Sequence, residues 1–290
     1  MIKLPSKIFI DGGDPEETKK AKELLGRIDG QTTNPTLISK NPQAQERLAK
    51  GEKFDKKEVF DFYKKVVSEI AEVVDWSVSI EPYADKNTSW QEVLEQGRKM
   101  FKWIDKAWIK FPITDTGLKA AYHAVKEGIR ANMTLCFSQE QAAAVYAATR
   151  LRQGYGGQGQ VFVSPFVGRL DDRGENGMQL IENILEMYKL GDGHVLTLTA
   201  SVRTLAHFLY ALKLKSPIIT VPYKIFQQWV DTKFQVPDGG FTYAPSDLSD
   251  IPYQTLSLKK VWTSYNIAHD LTDIGIEKFS ADWNSLVRNV

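Results

Sequence analysis

The chain has 290 residues, with 37 basic against 36 acidic side chains and a net charge of +1, a balance that gives no reason to expect wholesale affinity for nucleic acid or an anionic membrane. The single cysteine, Cys136, rules out an intrachain disulfide and any cysteine-rich metal site. The four histidines (His123, His194, His207, His269) form no HExxH-type pair, the N-terminal MIKLPSKIFIDGG lacks a signal peptide's apolar core, and no run approaches membrane-spanning length, so a metal-free cytoplasmic protein is expected.

Along the chain, short apolar runs alternate with amphipathic ones. The predicted strands are KIFIDG (7–12), IDGQTTN (28–34), DWSVSIEP (75–82), AWIKFP (107–112), ANMTLCFS (131–138), QVFVSPFV (160–167), HVLTLTAS (194–201) and PIITVPY (217–223). Between them lie helices with start and stop signals. Asp14 is the expected N-cap of PEETKKAKELL, with Pro15 first in the helix, Glu17 as capping-box partner and Gly26 as the stop. Asp55 and Glu58, and again Ser138 and Gln141, have capping-box spacing, and Gly128 closes GLKAAYHAVKEG. Eight βα units without a linker predict a single (β/α)₈ TIM barrel, with a doubly wound open sheet as the alternative.

The glycine-rich GYGGQG (154–159) lacks the GK[ST] of a phosphate loop and precedes a strand, so it reads as an αβ loop on the face opposite the site. Beyond Tyr223 the rhythm changes to a helix (KIFQQWVDTKF), a loop-like stretch (QVPDGGFTYAPSDLSDIPY), LKKVWTSYNIAH and a final capped helix, TDIGIEKFSADWNSLVRN. Residues 224–290 are therefore expected to be a C-terminal helical extension of the one domain. Its aromatics (Phe226, Trp229, Trp262, Tyr265, Trp283) either dock on the barrel, the favoured reading, or form a contact between copies in a homo-oligomer.

In AWIKFP a lysine stands inside an apolar strand. Lys110 is either an edge-strand side chain reaching to water or a desolvated amine with a lowered pKa, ready to attack a carbonyl carbon. In a barrel the chemistry sits where strands end, and there Asp11, Asn34, Glu81, Lys110, Asn132, Thr134, Ser164 and Ser201 gather. That concentration favours the nucleophile, with Trp108 and Phe111 as its apolar surround. Making an imine requires removal of water from a carbinolamine, and Glu81 and Thr134, on the strands either side of Lys110, could hold that water. Asp11 is a candidate base for carbon–carbon cleavage, and Asn34 and Asn132 suit substrate hydroxyls. Arg169 after one strand, with Ser201 and Arg203 at a helix start after the next, form a candidate phosphate receptor. Each has a plainer role open to it: Asp11 as a turn cap, Arg169 paired with Asp171 or Asp172, Asn34 as the turn residue before Pro35.

The segments FIDGG (9–13), QTTNPTLI (31–38), IKFPIT with GLKA (109–120), GIRANMTLCFSQEQA (128–142), SPFVGRLDD (164–172) and ASVR (200–203) resemble the transaldolase family, Schiff-base sugar-phosphate aldolases built on an (α/β)₈ barrel. The resemblance implies that Lys110 forms the imine, Asp11 is the acid/base, and Glu81 activates water through Thr134. It further implies that Asn34, Asn132 and Ser164 orient a dihydroxyacetone unit, while Arg169, Ser201 and Arg203 bind phosphate. The implied reaction moves that unit from a ketose phosphate to an aldose phosphate in the non-oxidative pentose phosphate pathway, with phosphorylated sugars as partners and no cofactor, the protonated imine serving as electron sink. In the fructose-6-phosphate aldolase branch, which releases free dihydroxyacetone, a glutamine and a tyrosine replace the residues matching Glu81 and Phe166; this chain carries the transferase pair. The segments around 154–159 and 234–268 are longer than the resemblance leads one to expect.

Overall fold

Eight short strands pair in sequence order, all parallel, and β8 closes onto β1. They are β1 (Lys7–Asp11), β2 (Gly30–Thr32), β3 (Ser77–Ile80), β4 (Ala107–Pro112), β5 (Ala131–Cys136), β6 (Val161–Pro165), β7 (Val195–Thr199) and β8 (Ile218–Val221). The structure, a computed structural model, describes residues 3–150, 159–238 and 240–288. The fold is the (β/α)₈ barrel, not the open sheet. Most of GYGGQG lies outside the described residues.

Around the barrel run α1 (Pro15–Leu25), α2 (Pro35–Ser39), α3 (Pro42–Ala49), α4 (Lys56–Val73), α5 (Trp90–Phe101), α6 (Asp115–Lys126), α7 (Gln139–Thr149), α8 (Val167–Asp171), α9 (Gly177–Tyr188), α10 (Leu205–Lys213), α11 (Tyr223–Asp231) and α12 (Asp270–Leu286). Asp55 and Glu58 close the expected capping box. The other two do not. Asp14 accepts from the Glu16 N–H, not Glu17, and the Gln141 side chain turns away from Ser138 to accept the Phe137 N–H at 2.7 Å. The predicted strands are generally too long, at both ends for β2, β3, β6, β7 and β8; the residues past each C-terminal end leave the ladder to form the mouth, and only β4 spans its full predicted length.

Side chains alternate across each strand, and the inward ones form two layers. Phe9, Trp108 and Phe162 fill the lower layer, with the Trp108 and Phe162 rings stacked 5.2 Å apart and Trp76 edge-on to all three. Gly30 makes room for this packing, since a Cβ there would lie 2.6 Å from the Phe9 ring. Two residues further along the same strands stand Asp11, Lys110 and Ser164, in a polar upper layer.

The C-terminal segment packs on the barrel. Trp229, Phe226, Tyr265 and Trp283 are buried and Trp262 half-buried. The loop-like stretch has no helix or strand among its described residues; amide side chains hold it, Gln179 accepting the Ile251 N–H at 2.6 Å and Asn183 donating to the Ile251 carbonyl at 2.8 Å. Just past it, Gln139 clasps both backbone groups of Gln254 at 2.6 and 2.9 Å. The closing helix starts earlier than predicted, capped by His269. Thr272 instead donates its hydroxyl to the Leu135 carbonyl at 3.0 Å, anchoring α12 over β5.

Candidate active site

The mouth of the barrel holds a cleft of about 260 Å³ lined by Asp11, Asn34, Lys110, Ser164, Phe166, Arg169, Ser201 and Arg203, all of them predicted site residues. Glu81, Asn132 and Thr134 lie behind this lining, buried. A larger groove of about 650 Å³ runs outside the barrel between α4, α5 and α12. Phe60, Met100, Trp103 and Trp283 line it, and its charged groups, Lys56, Asp61, Lys64 and Lys99, are exposed to water and not desolvated as Lys110 is.

Lys110 has only 3% of its side chain exposed and is no edge-strand residue. Its Nζ is 2.9 Å from Glu81 Oε2 and donates to the Thr33 carbonyl at 3.2 Å. The expected apolar surround is corrected by the pleat. Phe111 points outward against Gly97 of α5, and Trp108 lies a layer below. The ring facing the amine is Phe279 of α12, 6.0 Å from Nζ.

Asp11 Oδ1 accepts the Thr32 hydroxyl at 2.7 Å, so the Thr220 hydroxyl, 2.6 Å from Thr32 Oγ1, must be the donor in that second contact. Burial holds the Asp11 carboxyl above its usual range, opposed by Thr32 and Lys110. Burial likewise raises Glu81, with Lys110 opposing. Asn132 donates to Ser79 Oγ at 2.9 Å and accepts from Ser164 at 2.6 Å. Thr134 Oγ1 is buried without a hydrogen-bond partner among the described residues, at an irregularity in the β5–β6 pairing where Leu135 takes a φ of 60°.

Asn34 fills its plainer role as well as lining the cleft: its Oδ1 caps α2 through the Leu37 N–H at 2.9 Å. Arg169 does not pair with Asp171 or Asp172. Asp172 pairs with Arg203 at 2.8 Å and Asp171 with His207 at 2.7 Å. Arg169 lies over the Phe166 and Phe279 rings, 5.1 and 5.3 Å from their centroids. Burial, and then the like charge of Arg203, depress its pKa, so this pair of cations would be relieved by an anion between them. The helix expected at Ser201 and Arg203 begins only at Leu205, after the Thr204 cap. Ser201 instead takes a φ of 57° and its carbonyl accepts the Gly168 N–H at 3.0 Å.

The chain matches the family model described as "Transaldolase/Fructose-6-phosphate aldolase" over residues 8–290. The chain belongs to that family. It is an enzyme. Family relatives named "Probable transaldolase" include one from Clostridium botulinum, 35% identical over 277 residues that cover 96% of each chain. Another, from Myxococcus xanthus, is 32% identical over 97% of this chain and 95% of its own. A third, from Dehalococcoides mccartyi, is 34% identical over 97% and 99%.

Sequence reasoning missed several cleft residues in this family member: Thr32, Thr220, Lys40, Lys278 and Phe279. Lys278 pairs with Asp282 four residues on, a spacing that reads as ordinary helix-surface pairing. Asp282 in turn accepts the Thr36 hydroxyl, tying α12 to the start of α2. Among the described residues no helix is long and apolar enough to cross a membrane.

Proposed function

We propose that the enzyme is a transaldolase that moves a dihydroxyacetone unit from a ketose phosphate (sedoheptulose 7-phosphate or fructose 6-phosphate) to an aldose phosphate (glyceraldehyde 3-phosphate or erythrose 4-phosphate). It works in the cytoplasm, in the non-oxidative pentose phosphate pathway. The observation that carries this reading is the buried Lys110 amine, 2.9 Å from Glu81, in a cleft shared with Asp11, Arg169 and Arg203.

The amine attacks the ketose carbonyl carbon, and the carbonyl oxygen leaves as water once Glu81, acting through a water held at Thr134, has moved the proton. Asp11 takes the proton of the hydroxyl beyond the scissile bond. The bond electrons flow into the protonated imine, and the aldose phosphate departs from Arg169, Ser201 and Arg203. Asn34, Asn132 and Ser164 hold the remaining three-carbon enamine until the second aldose phosphate accepts it. Hydrolysis of the new imine then frees Lys110. Residues 224–290 belong to the same domain, since α12 sets Phe279 against the amine and Lys278 in the cleft wall.

The alternative is a lyase that releases free dihydroxyacetone. Phe166 favours transfer: a phenyl ring, unlike a phenol, cannot position water against the three-carbon adduct. The test is borohydride reduction after incubation with fructose 6-phosphate, followed by intact-mass and peptide mapping. A three-carbon adduct on Lys110, depleted by erythrose 4-phosphate before reduction, is the expected result. Release of dihydroxyacetone without acceptor would favour the lyase, and absence of any Lys110 adduct would overturn the mechanism.

A further inference from the structure

Tyr63 belongs to α4, in the outer ring of helices, yet its hydroxyl meets the barrel wall behind Lys110. The side chain is fully buried. The phenol oxygen accepts the backbone N–H of Glu81 at 2.9 Å and lies 2.7 Å from Thr33 Oγ1. Thr33 sends its own hydroxyl proton to the Ser79 carbonyl at 2.7 Å, so Tyr63 is the donor to Thr33. These two residues are the ones whose oxygens face the amine: the Thr33 carbonyl at 3.2 Å and the Glu81 carboxylate at 2.9 Å from Nζ.

Both residues lie just past their strands, since β2 ends at Thr32 and β3 at Ile80. The Glu81 N–H therefore finds its acceptor in a side chain from an outer helix. The phenol is itself fixed, its ring edge-on to Trp103 at 5.9 Å and tilted against Trp283 at 6.0 Å. Building on the imine reading of Lys110, we propose that Tyr63 is a positioning residue, holding the Glu81 backbone and the Thr33 carbonyl in the places from which they act on the amine. Burial keeps the phenol protonated, well above its ordinary pKa, so it stays both donor and acceptor. The other charged groups facing this pair are Asp11 from β1 and Arg169 from α8, and neither hydrogen-bonds Tyr63.

A phenylalanine at this position fills the same space and removes only the oxygen. Borohydride trapping on Lys110 with fructose 6-phosphate, followed against pH, separates positioning from mere packing, alongside kcat, KM and Tm. Tyr63→Phe is expected to retain the adduct but to slow trapping and kcat by up to about 100-fold, the scale of a catalytic group misplaced by about 1 Å, with an altered pH profile and an unchanged KM. Thr33→Val should act in the same direction and Thr33→Ser should restore the rate. A Tyr63→Phe protein that loses thermal stability but keeps the wild-type trapping rate and pH profile overturns the proposal. If that variant does not fold, wild-type trapping by Thr33→Val does the same. Failure to trap the wild-type protein is a separate result, and it sinks the imine reading.

Discussion

Glu81 and Lys110 are lateral neighbours in one row of the barrel. The β3–β4 register sets Ile80 beside Ile109, so the next step brings Glu81 beside Lys110, and the β4–β5 register adds Asn132 on the other side. With 3% and 6% of the two side chains exposed, neither charge has water to fall back on.

Lys110→Met should fold and be inactive. It leaves the Glu81 carboxyl buried without its cation, and breaking such a pair costs about 3–5 kcal/mol when the survivor stays charged. Burial already raises Glu81 from 4.5 with Lys110 opposing. A raised carboxyl contributes stability below its unfolded pKa and loses it as pH rises through the folded value. The variant's urea midpoint should therefore fall more steeply than the wild type's as pH rises above about 4.5. Parallel curves would show that Glu81 does not depend on the lysine.

Asp11→Asn follows the same sign. The wild-type carboxyl is raised from 3.8 by burial, so its ionisation weakens the fold as pH climbs through the folded pKa, a loss the amide does not suffer. Differential scanning calorimetry should show the Tm of the variant gaining on the wild type above pH 3.8, while aldol cleavage is lost. A constant Tm difference would contradict the assignment.

Arg169→Ala should raise KM for phosphorylated sugars by about 10- to 100-fold, the worth of one hydrogen bond to a charged group, and leave dihydroxyacetone and glyceraldehyde unaffected. Arg203→Ala should cost less, because Arg203 already shares its charge with Asp172. Steady-state kinetics on matched phosphorylated and free sugars decide this; equal losses on both would refute a phosphate role.

Two glycines separate a tuning position from a structural one. A Cβ at Gly275 of α12 would lie 2.6 Å from the Leu135 side chain and 2.7 Å from Arg169 Nη1, both side-chain and not backbone atoms. Gly275→Ala should keep the fold and raise KM for the phosphorylated sugar. A Cβ at Gly168 would meet the Ser201 carbonyl at 2.5 Å and Arg203 Cγ at 2.2 Å. Backbone cannot step aside so easily, so Gly168→Ala should lower Tm as well as affinity.

The barrel and most of its mouth could be read from local pattern. Phe9-Ile10-Asp11, Trp108-Ile109-Lys110 and Phe162-Val163-Ser164 repeat an aromatic, an aliphatic and a polar residue. With inward positions every second residue, that repeat is a floor and a working layer written into three strands. The same alternation turns Phe111 away from Lys110, which adjacency in sequence had suggested as its neighbour. What local pattern could not supply was anything from a distant helix. Nothing in TDIGIEKFSADW marks which face of α12 covers the cleft, so Phe279 and Lys278 were missed. Tyr63 likewise sits among ordinary core positions of α4, and only the tertiary fold brings its oxygen to Glu81.

The aromatic floor has a consequence for traffic. Phe9, Trp108 and Phe162 are almost wholly enclosed, and Arg130 and Lys7 close over Trp108 and Trp76, 4.3 and 4.7 Å from their rings. Among the described residues the barrel is thus closed at its floor and open at its mouth. On the proposed mechanism, sugars and the water released and consumed at each imine would enter and leave on the side where Arg169 and Arg203 stand, so a phosphorylated sugar seated there would also stopper the reaction.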